Sequence, residues 1–194
     1  MEITDRQQEI ILSSLEIITE GGIQALTIKN LAKKIGFSEA AVYRHYENKV
    51  QILLAILEYF RKNSERLFDG GSASEGSTIE KLETIFRNHF IKFSEHPSLV
   101  SVIFSEEIFK NETKLTEAVT KIMDKNINSL STILEQGQVK GEIRDDVKAR
   151  HLAILVMGSL RMFIKGWHMA NHKFDLQGEG SSFIRSVTTV IKKS

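Results

Sequence analysis

The near absence of proline is the feature that most limits what this chain can fold into. Its 194 residues contain one proline, Pro97, and a chain without proline breaks can form long uninterrupted helices. Apolar residues recur at spacings of three and four rather than two, which is the period of an amphipathic helix. Hydrophobic residues make up 41% of the chain, enough to bury a core. The sequence therefore predicts an all-α protein.

Capping and stop signals divide the chain into nine predicted helices. Two segments have the pattern of a capping box, Thr4 with Gln7 and Ser77 with Glu80. In a capping box each side chain forms a hydrogen bond with the other residue's backbone amide. Three further N-caps are expected at Thr27, Ser38 and Asp146, and Gly36 is expected in the turn between the second and third helices. The predicted helices cover residues 4–20, 27–34, 38–45, 48–68, 77–96, 99–109, 112–140, 147–170 and 182–192.

Residues 27–49 carry the spacing of a helix-turn-helix. Ala32, Gly36 and Val42 follow one another as Ala-x3-Gly-x5-Val. Alanine lets two helices cross closely, glycine accepts the positive φ of a tight turn, and valine anchors the second helix on the core. The same residue types also suit an ordinary helical hairpin, so the triplet alone leaves both interpretations open.

The second helix of this motif has two different faces. Helical spacing places Val42 and Tyr46 on the core side. The opposite face presents Arg44, which can donate two hydrogen bonds to guanine, and Glu39, which can accept one from cytosine. Two small alanines on the same helix allow it to enter the major groove. This arrangement favours a DNA-recognition helix over a hairpin.

The charge balance supports DNA binding only locally. The net charge of the whole chain is +1. Residues 1–50 hold six basic and seven acidic side chains, whereas residues 21–50 hold five basic and two acidic ones. This modest basic patch coincides with the helix-turn-helix. The prediction of DNA binding therefore depends on the motif and not on the overall charge.

The two segments of the motif resemble the TetR family of one-component transcription regulators. Residues 22–38, GIQALTIKNLAKKIGFS, are similar to the family's second helix and turn, and residues 42–49, VYRHYENK, to its recognition-helix signature. Tyr46 stands where phenylalanine is commoner. The resemblance implies phosphate contacts from Thr27, Tyr43, His45 and Lys49, and groove contacts from Glu39, Ala40, Ala41 and Arg44. Lys29 and Ser38 complete the predicted DNA-contact set.

The resemblance also implies how the chain is divided. A three-helix DNA-binding domain is predicted over residues 1–48, and a helical regulatory and dimerisation domain over residues 49–194. Within the second domain, the Gly- and Ser-rich segment 69–77 reads as a flexible connector. The expected function is that of a repressor that leaves its DNA operator when it binds a small apolar effector.

The eighth predicted helix is apolar around most of its circumference, which indicates burial on more than one side. We expect one face to pack on the core and another to meet a second subunit, with Gly158 and Ser159 allowing close crossing. The resemblance implies a homodimer with a four-helix interface built from the last two helices of each subunit. Helix-turn-helix dimers hold their recognition helices about 34–36 Å apart, so the operator should be a near-palindrome.

The resemblance further implies an effector cavity among the middle helices. The Phe and Met stripe that would line it fits an ordinary core as well. His89, Arg161 and His168 suit an anionic effector such as a fatty acyl group, whereas Glu106 and Glu107 suit a lipophilic cation. Arg161, Lys165, His168 and His172 also fit a solvated face or a dimer rim. The candidate pocket residues are Phe86, His89, Phe90, Phe93, Phe104, Met157, Leu160, Arg161, Phe163 and Trp167.

Other functional classes find less support in the sequence. No glycine-rich phosphate loop, His-Glu-x-x-His motif, nucleophile elbow or pair of carboxylates stands out, so neither an enzyme nor a cofactor is expected. Cysteine is absent, and His168 with His172 has a spacing that suits zinc, but no metal site is expected. A DNA-bound architectural or cell-division factor of the same fold, without an effector, is the alternative. No secretion signal or membrane span is apparent, which favours a cytoplasmic protein.

Overall fold

The computed structural model describes residues 4–73, 76–104 and 112–193. Within these ranges the chain forms nine α-helices and no β-strand, which confirms the all-α prediction. No helix among the described residues is both long enough and apolar enough to cross a membrane. The helices are α1 (Asp5–Ala25), α2 (Ile28–Ile35), α3 (Glu39–Tyr43), α4 (Lys49–Ala73), α5 (Thr78–Glu95), α6 (Ser98–Ile103), α7 (Thr113–Val139), α8 (Ala149–Met169) and α9 (Leu176–Ile191).

The helices form two compact units from non-contiguous parts of the chain. The first unit consists of Met1–Phe60 and His96–Thr120, and the second of Arg61–Glu95 and Lys121–Ser194. α6 thus joins the N-terminal helices, while α4 and α7 each contribute residues to both units. These units are defined by packing, so a functional boundary after residue 48 stays a prediction.

In the first unit, α1 packs against α2 and α6, and α2 packs against α3. Ile10, Ile11, Leu15 and Ile18 form the buried face of α1 at helical spacing. Leu99 of α6 is also fully buried. Burying a side chain of this size contributes about 1.5–3 kcal/mol. This core holds the short helices α2 and α3 in place.

In the second unit, α9 packs along α5 and also against α8. Gly180 of α9 lies directly over the ring of Phe90, and a Cβ at residue 180 would lie 2.6 Å from that ring. No side chain can occupy that space without moving the buried phenylalanine. The close approach of α9 to α5 therefore requires glycine at this position.

α4 is longer than its sequence predicts. It continues to Ala73, so the prediction of a flexible connector over residues 69–77 is wrong for residues 69–73. Phe68 is buried, and its packing stabilises the last turns of the helix. That packing outweighs the helix penalty of about 1 kcal/mol for each glycine.

The last helix also begins earlier than predicted. α9 starts at Leu176 and not at residue 182, because Asp175 is its N-cap and accepts a hydrogen bond from the backbone N–H of Gln177 at 3.0 Å. Leu176 is buried and fixes the first turn on the core. Two glycines near the start of the helix gave the segment the sequence pattern of a loop.

Asp146 is not the N-cap of α8, contrary to the sequence prediction. The helix begins at Ala149, and the capping residue Lys148 makes no side-chain cap bond. The Asp146 carboxylate instead accepts two hydrogen bonds from the guanidinium of Arg144, at 2.7 and 2.6 Å. A charge-assisted bidentate pair is stronger than a bond to a backbone amide.

Two smaller differences concern helix ends. α1 runs past its predicted stop to Ala25, although Gly22 does take a non-helical conformation with φ 71°. α6 ends at Ile103 with Phe104 as its C-cap, and the rest of the predicted helix, residues 105–109, lies outside the described residues.

Candidate nucleic-acid interface

Three local interactions shape the turn between α2 and α3. The hydroxyl oxygen of Thr27 caps α2 by accepting from the N–H of Asn30 at 3.1 Å. Gly36 ends α2 in the left-handed region, with φ 76°, where glycine has no Cβ penalty. Ser38 caps α3 by accepting from the N–H of Ala41 at 3.2 Å. All three roles agree with the sequence prediction.

The anchors of the motif are buried as predicted. Ala32 is buried on α2, and Val42 is completely buried on α3. Tyr46 is buried as well, which supports its interpretation as a packing residue, and this burial raises the pKa of its phenol. These contacts fix the rotation of α3 about its own axis and so decide which side chains face outward.

The outward face of α3 presents the side chains that the sequence assigned to DNA. Tyr43 is 49% exposed, and Arg44 continues the helical conformation at the C-cap. Ala41 is half-buried. The predicted contact residues that are exposed are Thr27, Lys29, Ser38, Glu39, Ala40, Tyr43, Arg44 and His45. One continuous helix-turn-helix segment thus carries them all.

Lys49 differs from the other predicted contacts because it is half-buried and already bonded. Its Nζ donates to the backbone carbonyl of Ile23 at 2.6 Å, which ties the start of α4 to the C-terminal end of α1. Partial burial lowers the pKa of this ammonium group. The ammonium has three N–H donors, so this bond leaves donors for a phosphate.

Part of the basic patch is neutralised by the acidic first helix. Lys34 Nζ lies 2.8 Å from a Glu20 carboxylate oxygen and 3.1 Å from one of Glu16. Hydrogen bonds to these two carboxylates raise the pKa of Lys34. The other lysines and arginines of residues 27–49 are Lys29, Lys33 and Arg44, which are exposed, and Lys49, which is half-buried.

The predicted pocket residues divide between the two units. Phe104 belongs to the first unit, and the other nine belong to the second. Met157, Arg161 and Phe163 are half-buried. The buried members are Phe86, His89, Phe90, Phe93, Leu160 and Trp167. Glu106 and Glu107, the alternative cation-binding pair, lie outside the described residues.

Several of these aromatic residues pack against one another. The ring of Phe163 stacks on Phe183 with centroids 4.5 Å apart and meets Phe90 edge-on at 6.0 Å. Trp167 donates its indole N–H to the backbone carbonyl of Phe174 at 3.0 Å. These contacts join α5, α8 and α9 in the core of the second unit.

A buried polar cluster in the second unit includes two residues that sequence reasoning missed. Ser64 Oγ lies 3.2 Å from His89 Nε2 and 3.2 Å from Asn126 Oδ1. The rings of Phe68 and Phe86 lie 5.5 and 6.0 Å from the His89 ring. Burial lowers the pKa of His89. The sequence signal for Ser64 and Asn126 is a polar residue at a buried position of α4 and of α7, and this signal does not identify their partners.

His168 and His172 lie together at the end of α8. Their Nδ1 and Nε2 atoms are 3.1 Å apart, and burial together with the charge of its neighbour lowers the pKa of His168. His172 has φ 60° and packs its ring on Trp167 at 4.3 Å. Within the described ranges, no group of three or more potential metal ligands converges.

The geometry of the first unit defines a class of protein. A capped helix pair with a left-handed glycine turn holds a recognition helix outward, which is the arrangement of helix-turn-helix DNA-binding regulators. Residues 10–56 match the family described as "Bacterial regulatory proteins, tetR family", and residues 65–188 match "YsiA-like protein, C-terminal region". The chain belongs to the tetR family of bacterial regulatory proteins.

Similar proteins cover nearly the whole chain. The fatty acid metabolism regulator protein of Bacillus subtilis is 22% identical over 96% of this chain and 95% of its own length. The nucleoid occlusion factor SlmA of Vibrio campbellii is 25% identical over 84% of this chain and 85% of its own. The crystal structure of FadR from Bacillus subtilis in complex with stearoyl-CoA has a TM-score of 0.82 at 23% identity, covering 95% of this chain and 98% of that one.

Proposed function

We propose that this protein is a homodimeric repressor that binds a near-palindromic DNA operator and leaves it on binding an apolar, acyl-type effector. The observation that carries the proposal is the outward face of α3, where Arg44 and its neighbours are exposed while Val42 and Tyr46 anchor the helix. In this role the protein acts on the chromosome in the bacterial cytoplasm and catalyses no reaction.

The exposed residues contact DNA in two ways, either at base edges or at phosphate groups. Arg44 reads guanine, and Glu39 is placed to accept from cytosine. The hydroxyl oxygens of the two cap residues, Thr27 and Ser38, accept hydrogen bonds from backbone N–H groups of their helices. Their hydroxyl protons remain available to donate to phosphate oxygens. Phosphate contacts fix the register of the protein on the duplex without reading the sequence. The other proposed contacts are Lys29, Ala40, Ala41, Tyr43, His45 and Lys49.

An exposed apolar face supports the proposed dimer. Leu155, Met162 and Met169 are 63%, 72% and 74% exposed, and their spacing of seven residues places them on one side of α8. Ile154 on α8 and Val190 on α9 are also exposed. Large apolar side chains grouped in this way mark an interaction surface. A second copy of the chain provides a matching apolar face for it.

An acyl effector is supported by the relatives together with the composition of the second unit. One relative is a fatty acid metabolism regulator and one similar structure holds stearoyl-CoA. The candidate pocket residues of this chain are mostly aromatic and aliphatic, as expected for a site that binds a hydrocarbon chain. His89 and Arg161 are the members that could meet the polar end of such a molecule.

The proposed coupling acts through α4. Ser64 joins α4 to His89 on α5 and Asn126 on α7, and the same helix begins at Lys49 beside the helix-turn-helix. An effector that breaks the bonds of Ser64 would shift α4 and change the separation of the recognition helices in the dimer. It can do so only through different affinities for the two positions of α4.

The test is release of DNA by a defined acyl compound. A duplex obtained by selection from random DNA is labelled, bound by the dimer and titrated with stearoyl-CoA, with coenzyme A alone as the matched control. We expect release by stearoyl-CoA and none by coenzyme A. Unchanged DNA affinity at saturating stearoyl-CoA would contradict the proposed effector class.

The similarity to nucleoid occlusion factor SlmA supports a second candidate function. In that case the protein is a DNA-bound architectural or cell-division factor that answers no small molecule. Both candidates require sequence-specific DNA binding. They differ in the outcome of effector screening, because the second predicts that no acyl compound changes DNA affinity.

A further inference from the structure

We propose that Arg6, at the start of α1, is a further DNA-backbone contact, and that a phosphate group of the operator binds in the depression between Arg6 and the recognition helix. Nothing in the helix-turn-helix signature includes this residue, because it lies 21 positions before Thr27 in the sequence. The inference rests on the DNA-contact face proposed above and extends that face from α2 and α3 onto α1.

Arg6 is held beside the turn by an aromatic ring. Its guanidinium carbon lies 4.4 Å from the centroid of the Phe37 ring, and Phe37 directly follows the left-handed Gly36. A guanidinium over an aromatic face within about 6 Å is attracted by the negative charge of the ring face. The contact therefore fixes an exposed, flexible side chain next to the first turn of α3.

The cation lines one wall of an open depression with a volume of about 580 Å³. Arg44 and His45 also line the depression, so basic side chains reach it from α1 and from the two residues that follow α3. Ser38 and Ala41, two proposed contact residues, form part of the same surface. The depression is therefore continuous with the face of α3 that meets DNA, and its charge is complementary to a phosphate.

One carboxylate competes for Arg6. Glu9, one turn further along α1, accepts from Arg6 Nη1 at 2.5 Å. A guanidinium has five N–H donors, so this pair leaves Nη2 and Nε with protons for a second anion. Both side chains of the pair are about half exposed, so an approaching phosphate does not have to displace a buried ion pair.

The occupant is a DNA phosphate and not a base edge. Arg6 is on α1 and packs against Phe37, whereas α3 is the helix that presents side chains to base edges. A cation in this position neutralises one phosphate and releases condensed counterions on every sequence. Arg6 should therefore add affinity and salt dependence without adding sequence preference.

The experiment measures binding of short duplexes of random sequence against salt concentration for the wild type and four variants. Arg6→Gln removes the proposed contact. Glu9→Gln removes its competitor, and Arg87→Gln removes an exposed arginine of α5 in the other compact unit. Circular dichroism melting confirms that each variant folds. Arg6→Met, which also removes the charge, replaces Arg6→Gln if the latter does not fold, and Arg6→Lys is the variant that keeps the charge.

Arg6→Gln should reduce the slope of log K against log salt by about 0.9 for each half-site. The ratio of wild-type affinity to Arg6→Gln affinity should therefore increase about eightfold per half-site for each tenfold decrease in salt concentration. Glu9→Gln should bind more tightly than wild type, and Arg87→Gln should match wild type. Arg6→Lys keeps the charge and should keep most of the slope.

An unchanged slope in a folded Arg6→Gln protein would overturn the inference, and so would a loss of affinity confined to one DNA sequence. An equal loss in Arg87→Gln would show a general charge effect and also overturn it. Arg44→Ala, measured on the selected operator, separates this inference from the proposed function. If Arg44→Ala loses preference and Arg6→Gln keeps its slope, only the role of Arg6 is wrong.

Discussion

At His89, hydrogen-bond geometry restricts the possible protonation states. Its Nδ1 lies 2.8 Å from the carbonyl oxygen of Ile85, which can only accept, so Nδ1 carries a proton. In a neutral ring Nε2 must then accept, and the single hydroxyl proton of Ser64 faces two acceptors, Nε2 and the Asn126 oxygen. The neutral cluster is fully bonded only when Asn126 turns its amide nitrogen toward Ser64. Small changes at this cluster should therefore have large effects on packing.

The buried imidazole gives a pH-dependent stability. Burial lowers the pKa of His89 below its ordinary value of 6.5, so the unfolded chain binds a proton before the folded one does. Its stabilising contribution is fully present above pH 6.5 and is lost as the pH falls toward the folded pKa. Urea unfolding between pH 8 and pH 5 should show this decline, and His89→Gln should flatten it.

The control for that measurement is His151→Gln, which removes an exposed imidazole and should keep the wild-type pH dependence. His168 also has a lowered pKa, so a smaller decline should remain in His89→Gln. A pH dependence that is the same with and without His89 would contradict the assignment of a neutral buried ring.

At the scale of elements, capping signals in the sequence predicted the starts of α2 and α3 but not the length of α4 or the start of α9. Thr27 and Ser38 cap their helices as expected, because a cap depends on residues three positions apart. The length of α4 and the start of α9 depend instead on which apolar residues find partners in space. Phe68 packs against His89, and the helix that begins at Leu176 packs along α5, so no local sequence pattern indicates these contacts.

Two glycine substitutions test these helix assignments in opposite directions. Gly70 is helical in α4, and a Cβ at residue 70 would meet no other atom within 4 Å, so Gly70→Ala should stabilise the protein by about 0.5–1 kcal/mol. Gly180→Ala would place its Cβ against the buried Phe90 ring and should destabilise it by about 1–3 kcal/mol. Denaturant midpoints measure both.

The outcome at residue 70 distinguishes a helix from a connector. A flexible connector gains little from alanine, so a neutral Gly70→Ala would contradict the extension of α4. A neutral Gly180→Ala would show that α9 can move away from α5 without loss of packing.

At the scale of the whole molecule, the exposure of the proposed DNA-contact residues followed from the sequence more directly than the placement of the proposed pocket residues. The face is one continuous segment whose burial pattern follows from helical periodicity. The pocket prediction gathered aromatic residues from distant segments, and the structure places Phe104 in a different compact unit from the other nine residues. Ser64 and Asn126 were missed because polar residues in an apolar stripe become informative only when their partners are known.

The proposed dimer can be tested on the apolar face of α8. Met162→Lys places a charge at the centre of that face and should convert the protein to a monomer in sedimentation equilibrium. Burying an unpaired ammonium in an interface costs several kcal/mol. Val139→Lys is the matched control, because Val139 is 90% exposed on α7 and outside the proposed interface. A monomeric wild type, or a dimeric Met162→Lys, would contradict this assembly.

The most direct test of the central claim is selection of random duplex DNA by the wild-type protein and by Arg44→Ala in parallel. The wild type should enrich a near-palindrome, and Arg44→Ala should lose preference at one position of each half-site, with a loss of about 1–3 kcal/mol at that base. Enrichment of the same sequence by both proteins would show that Arg44 contacts phosphate only. No enrichment by either would contradict sequence-specific recognition through α3.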